Sequence, residues 1–202
     1  QYGEAWALLG KNHARLSTIT LVASGAVADN RRAALESAKR AFELAPDLSD
    51  AHLALALAYR EMEEFRPWRE EALKAIDLSP RSAEAYELVA DAYFAGNAWG
   101  CQRDRNALLA EKYFRTAIDI DPLWAAPYAN FSYHFSWLGR AEDALRIADQ
   151  GLASLPANPT ITRARALSLV RLSRHRDAEQ AIQQMLAAGS AMSGQDHLIL
   201  GS

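Results

Sequence analysis

Apolar and polar positions in this chain recur with a helical period, in short blocks separated by polar or proline-containing breaks. The clearest blocks lie between Ser49 and Ser82. Leu55, Ala56 and Tyr59 fall on one helical face, with Ala51, His52 and Leu53 one turn earlier. After a polar break, Trp68, Ala72, Leu73, Ala75 and Ile76 share a second face that stops at Pro80. Two amphipathic helices, a short turn and a closing proline predict one helical hairpin. A lone hairpin cannot bury its apolar face and needs neighbours of its own kind.

The neighbours announce themselves through their prolines. Leu44-Ala45-Pro46, Leu78-Ser79-Pro80, Ile120-Asp121-Pro122 and Leu155-Pro156 close successive blocks, at spacings of 34, 42 and 34 residues. The first copy carries Trp6, Leu9, Gly10, Ala34, Ala41 and Pro46. The second carries His52, Leu55, Ala56, Tyr59, Ala72, Ala75 and Pro80. Tyr86, Val89, Ala90, Tyr93, Ala110, Phe114, Ala117 and Pro122 make the third. Tyr128, Phe131, Ser132, Phe135, Ala144, Ala148, Gly151 and Pro156 make the fourth. A fifth is degenerate and lacks the proline: Thr162, Ala166, Leu169, Ala178, Ile182 and Met185. A period of about 34 residues with these residue types resembles the tetratricopeptide repeat.

The resemblance implies an all-α fold, a right-handed superhelical solenoid of about five helix-turn-helix hairpins. They would span 3–48, 49–82, 83–124, 125–158 and 159–192, in one array over 1–202. Residues 193–202 would open a partial capping helix, with Leu198, Ile199 and Leu200 facing inward. The small residues Ala56, Ala90, Ser132, Ala75, Ala117 and Gly151 are expected to let helix backbones approach. Tyr59, Tyr93 and Phe135 are expected to fill the space between hairpins.

Two segments depart from the period. Residues 17–29 delay Pro46; they are read as a longer first helix ending near Gly25, with the second starting near Asp29 or Asn30, either of which can cap it. Residues 96–105 lengthen the third copy, where Gly96 and Gly100 break the helix and Trp99 stands among polar neighbours. Trp99 either folds back on its hairpin or marks a functional edge.

Composition changes this picture little. Half of the 202 residues are hydrophobic, 23% are charged and the formal net charge is −3. This is an ordinary balance, with no basic excess to draw nucleic acid. No apolar run reaches the ~18 residues that membrane insertion needs. A single cysteine, Cys101, excludes an internal disulfide. The chain opens at Gln1 already inside a helical pattern, as an excised piece would. The compartment is unknown, with the cytoplasm favoured.

Candidate chemistry is sparse. The chain has no nucleophile elbow, phosphate-binding glycine loop or HExxH motif. His13, His52, His134, His175 and His197 are scattered, and His52 occupies a packing position. Arg103 and Arg105 flank Cys101 and would favour its thiolate, but a lone loop thiol is more often inert. No enzyme activity, cofactor or metal is expected.

The resemblance implies instead a groove lined by the first helix of each hairpin. Carried over position by position, the groove would present Lys11 from the first copy, and Asp50, Leu53, Leu57 and Arg60 from the second. Glu84, Glu87 and Asp91 follow from the third, Asn130, Tyr133 and Trp137 from the fourth, and Arg163, Leu167 and Arg171 from the fifth. Relatives that grip acidic chaperone tails use Lys, Asn and Arg at places held here by Ala7, Lys11, Ala54, Glu84 and Leu88, so that clamp is absent. The middle of the groove reads as acidic and its C-terminal part as aromatic and basic. The expected role is a non-enzymatic scaffold that binds a protein or peptide segment. The alternatives are a regulatory or sensory module of a larger kinase, cyclase or transcription-regulator chain, and self-association as a homo-oligomer through an end face or the Trp99 loop. RNA binding is disfavoured because no basic stripe is present.

Overall fold

The computed structural model describes residues 2–19, 24–95 and 103–201. These form eleven α-helices and no strand. The expectations for Trp99 and Cys101 fall outside the described residues. The chain divides into two compact units, Gln1–Ile120 and Asp121–Ser202.

The first unit holds α1 (Tyr2–Ile19), α2 (Ser24–Leu44), α3 (Ser49–Glu61), α4 (Phe65–Leu78), α5 (Ala83–Ala95) and α6 (Arg103–Ile120). Helix α3 packs against α1, α2, α4 and α5. That position explains its composition. Every residue from Ala51 to Ala58 is buried, as expected of a helix that is apolar all round and covered on every side. The aromatic residues pack α5 against α6 within one hairpin, and a cation reaches them from α4 of the preceding one. Tyr93 and Tyr113 stack with ring centroids 5.7 Å apart, Tyr86 lies 6.0 Å from Tyr113, and the Arg69 guanidinium sits 5.2 Å above Tyr93.

The first hairpin corrects the expected boundaries. Helix α1 is described to Ile19, and α2 already begins at Ser24, so the first helix does not run to Gly25 and the second does not wait for Asp29 or Asn30. Neither expected cap is available. The Asn30 side-chain oxygen lies 3.3 Å from His13 Nδ1, and Asp29 pairs with Arg32.

The second unit holds α7 (Ala125–Trp137), α8 (Ala141–Ser154), α9 (Pro159–Arg171), α10 (His175–Ala187) and α11 (Gly194–Leu200). Small residues let its helices touch. Ser132 Oγ donates to the Ala144 carbonyl, Ser168 Oγ donates to the Ala164 carbonyl, and the two hydroxyls are 3.2 Å apart. Every buried hydroxyl in this set therefore has a partner. Asn158 caps α9 by accepting from the Thr160 and Ile161 amides, and Pro159 follows at the first turn.

Three-residue turns join α3 to α4, α7 to α8 and α9 to α10. Glu64 N–H donates to the Tyr59 carbonyl, Arg140 N–H to Phe135 and Arg174 N–H to Leu169. Each closure needs one left-handed residue, supplied by Glu63, Gly139 and Ser173. The four closing prolines, Pro46, Pro80, Pro122 and Pro156, lie in the other turns, between hairpins. Their carbonyls are used: His52 Nε2 is 2.8 Å from Pro46 O, and Tyr128 donates to Pro122 O at 3.2 Å. His52 also lies 2.7 Å from Glu71 Oε2, so it ties α3 to α4 and to the preceding turn.

Gly151 marks a tight approach in the second unit. A Cβ there would meet Tyr128 Cγ at 2.8 Å, Tyr128 Cβ at 2.9 Å and Ile161 Cδ1 at 3.1 Å. The helix-propensity gain of Gly151→Ala, about 1 kcal/mol, is outweighed by overpacking of about 1–3 kcal/mol. Thermal unfolding should therefore show a lowered midpoint for Gly151→Ala. Gly194→Ala, where a Cβ meets nothing within 4 Å, should leave the midpoint unchanged or raise it.

Candidate functional site

The first helices of the hairpins carry the expected groove positions, and each unit is described by itself. In the first unit, α1 supplies two cations on successive turns. Lys11 Nζ lies 3.0 Å from Asp50 Oδ1 on α3 and 3.0 Å from Glu84 Oε2 on α5. Arg15 reaches the other Glu84 oxygen at 2.7 Å. Burial pulls the Lys11 amine down, but Glu84 and Asp50 more than offset it and hold the amine above its ordinary range. Lower on the same face, Glu61 accepts from Ser17 Oγ at 2.5 Å and from Arg60 at 3.3 Å.

The anticipated acidic surface is thus largely answered from within. Asp50 and Glu84 are paired with α1. Glu87 and Asp91 are buried, as are Leu53 and Leu57 at 2% and 3% exposure. The two leucines serve the core of α3. Arg60 is half-buried against Glu61. Arg15, Ser17 and the buried Glu61 complete this network.

In the second unit, Asn130, Tyr133 and Trp137 follow one another along α7, and Arg163, Leu167 and Arg171 along α9, which packs beside it. Trp137, at the end of α7, is 64% exposed. The Arg171 guanidinium lies over its ring at 5.3 Å. Asn130, Tyr133 and Leu167 are half-buried. Burial raises the Tyr133 hydroxyl above its ordinary range, opposed by Arg163 and reinforced by Asp196.

Arg163 is already engaged. Its Nε is 3.0 Å and 3.1 Å from the two Asp196 oxygens, and its Nη2 is 3.0 Å from one of them. Nη2 also donates to the Ala191 carbonyl at 2.6 Å. Asp196 belongs to α11 and is fully buried. Its burial would raise the carboxyl, but the bonds from Arg163 and Ser193 prevail and hold it low. Ser193 and Asp196 also form a reciprocal capping box at the start of α11. Arg163, a groove position expected to face a partner, is thus spent on α11.

Among the described residues, no group of three His, Cys, Asp or Glu side chains is placed to hold a metal, and no helix is long and apolar enough to cross a membrane.

The arrangement has close counterparts among solved structures. TTC0263, a thermophilic TPR protein of Thermus thermophilus, matches with TM-score 0.73 and 22% identity, over 89% of this chain and 91% of that one. The fold is that of a tetratricopeptide-repeat protein. The type IV pilus biogenesis factor PilW matches with TM-score 0.72 and 19% identity over 98% of this chain and 83% of its own. PilF of Pseudomonas aeruginosa matches with TM-score 0.69 and 18% identity over 98% and 81%. No family model and no curated protein sequence matches the chain.

Two expectations test these electrostatics. Glu84 is the hub of the first network and remains only 19% exposed, whereas Asp50 is 51% exposed. Glu84→Gln should cost about 1–3 kcal/mol by chemical denaturation, and Asp50→Asn less than about 1 kcal/mol. The second concerns His134 on α7, whose enclosure lowers its pKa to about 3. Its folded value lies below the unfolded one near 6.5. The unfolded chain therefore takes up a proton first as pH falls. The stability that neutral His134 supports is complete above pH ~6.5 and is lost between there and about 3, by up to about 1.4 kcal/mol per pH unit. The fall in melting temperature between pH 7 and pH 4 should be shallower for His134→Gln than for the parent chain.

Proposed function

We propose that this protein is a non-enzymatic interaction module that holds a peptide or partner segment on the first-helix faces of its repeats. The second unit supplies the principal anchor. One observation carries this reading. Trp137 stands largely exposed, with Arg171 against its ring, at positions this repeat uses for contact. An exposed tryptophan costs the free protein solubility and returns nothing to its core. Paired with an arginine, it forms the kind of anchor that carries most of the energy in protein interfaces. Tyr133 and Leu167 extend an apolar floor beside it.

The chemistry fits a segment with one bulky apolar side chain for the Trp137 ring and a polar or acidic group for Arg171. The first unit fits this role differently. Its charges are mutually satisfied, so its face offers exposed Asp50 and Arg15 at the rim and little unpaired charge within.

Selection of a random peptide library on the full chain tests the proposal. Enriched sequences should share an apolar anchor and bind Trp137→Ala at least about thirtyfold more weakly, the scale of a hot-spot residue. Arg171→Ala should weaken them less. Neither substitution should shift the melting temperature appreciably. Peptides that bind Trp137→Ala as well as the parent would overturn the reading, as would a large loss of stability in that variant.

A further inference from the structure

The second unit already holds one short segment against α9, and that segment is its own. Helix α11 has only seven residues, too few to be helical alone in water. Three things keep it in place: the Arg163–Asp196 fork, the capping box, and the half-buried Ile199 and Leu200 against the cluster of Ala166, Leu169 and Ile182. Leu198, expected from the sequence to face inward with them, is instead 84% exposed. The apolar area committed is therefore small, while the polar recognition is specific: a fully buried carboxylate takes three charge-assisted contacts from one guanidinium.

We propose that α11 is a built-in stand-in for a partner, and that the Arg163 pocket on α9 is a receptor for a short helical turn bearing a carboxylate followed three and four residues later by aliphatic side chains. In α11 these are Asp196, Ile199 and Leu200. A partner with the same spacing takes the same contacts when α11 lifts away. Its chain then continues toward Trp137 and Arg171 on the same pair of helices, so this inference rests on the interaction role proposed above. With α11 in place, the Nε–Nη2 edge of Arg163 is taken by Asp196 and the Ala191 carbonyl, so a second carboxylate cannot pair side-on with that edge. The clasp thus favours segments that reproduce its full pattern over merely acidic ones.

The peptide SAMSGQDHLILGS, residues 190–202 of this chain, is the probe, labelled with fluorescein at its N-terminus. It is added to the full chain, to Asp196→Asn and to the Arg163→Leu/Asp196→Asn double variant, and binding is read by fluorescence anisotropy. Asp196→Asn should bind it at least about tenfold more tightly than the parent chain, a difference of about 1.4 kcal/mol. The double variant should not bind, nor should a probe with its aspartate changed to asparagine. Equal binding by parent and Asp196→Asn, or equal binding of the two probes, would overturn the proposal. Hydrogen exchange on the unaltered chain gives a second reading. Amides of α11 should exchange at least about a hundredfold faster than those of α9; equal protection would make α11 a fixed part of the core and overturn the proposal. Loss of Trp137-dependent peptide selection would overturn the interaction role and leave these results as they stand.

Discussion

The distance to which one helix backbone can approach the next governs this molecule. Stacked hairpins bury enough surface only if their helices nearly touch, and that requires side chains small enough to disappear. Gly151 against Tyr128 is one such case. Gly10 is another, where an added Cβ would come within 3.1 Å of the Ala38 backbone nitrogen. Ala34, Ala41, Ala56, Ala75, Ala90, Ala117 and Ala148 vanish completely from the surface for the same reason. Close approach has a cost in polar chemistry, because a crevice that narrow excludes water. The second unit answers it with serines that bond to backbone carbonyls and to one another.

With the packing so settled, the first-helix faces are free to differ. In the first unit the face is electrostatic and self-contained. In the second it is aromatic, with one cation stacked in the open and the other forked around a buried carboxylate. The same scaffold thus carries two surfaces of opposite character: one has spent its charges internally, and the other still displays an unsatisfied ring.

Most of the architecture was legible because it follows from period and residue size. The alanine run of α3, the proline spacing and the small–aromatic alternation each have one physical meaning in a stack of hairpins. The start of α2 was not legible, because Asp29 and Asn30 have the right chemistry for a cap but spend it on Arg32 and His13. Position along a repeat also told which residues sit on the first-helix faces, but not how deep. Leu53 and Leu57 occupy groove positions and are nevertheless core. The pairing of Lys11 with Glu84 and of Arg163 with Asp196 spans 73 and 33 residues. No local pattern encodes such distances, so the charge of the finished surface could not be read from the charge of the sequence.

The Lys11–Glu84 contact passes over the central hairpin to join the first to the third. A stack held only by adjacent contacts melts piecemeal, since each hairpin answers to its immediate neighbours. A bond that skips one member changes that arithmetic: the outer hairpins lose it together, and the middle one cannot loosen without straining it. Fraying from either end of this unit is thereby opposed by a contact that neither outer hairpin keeps without the other.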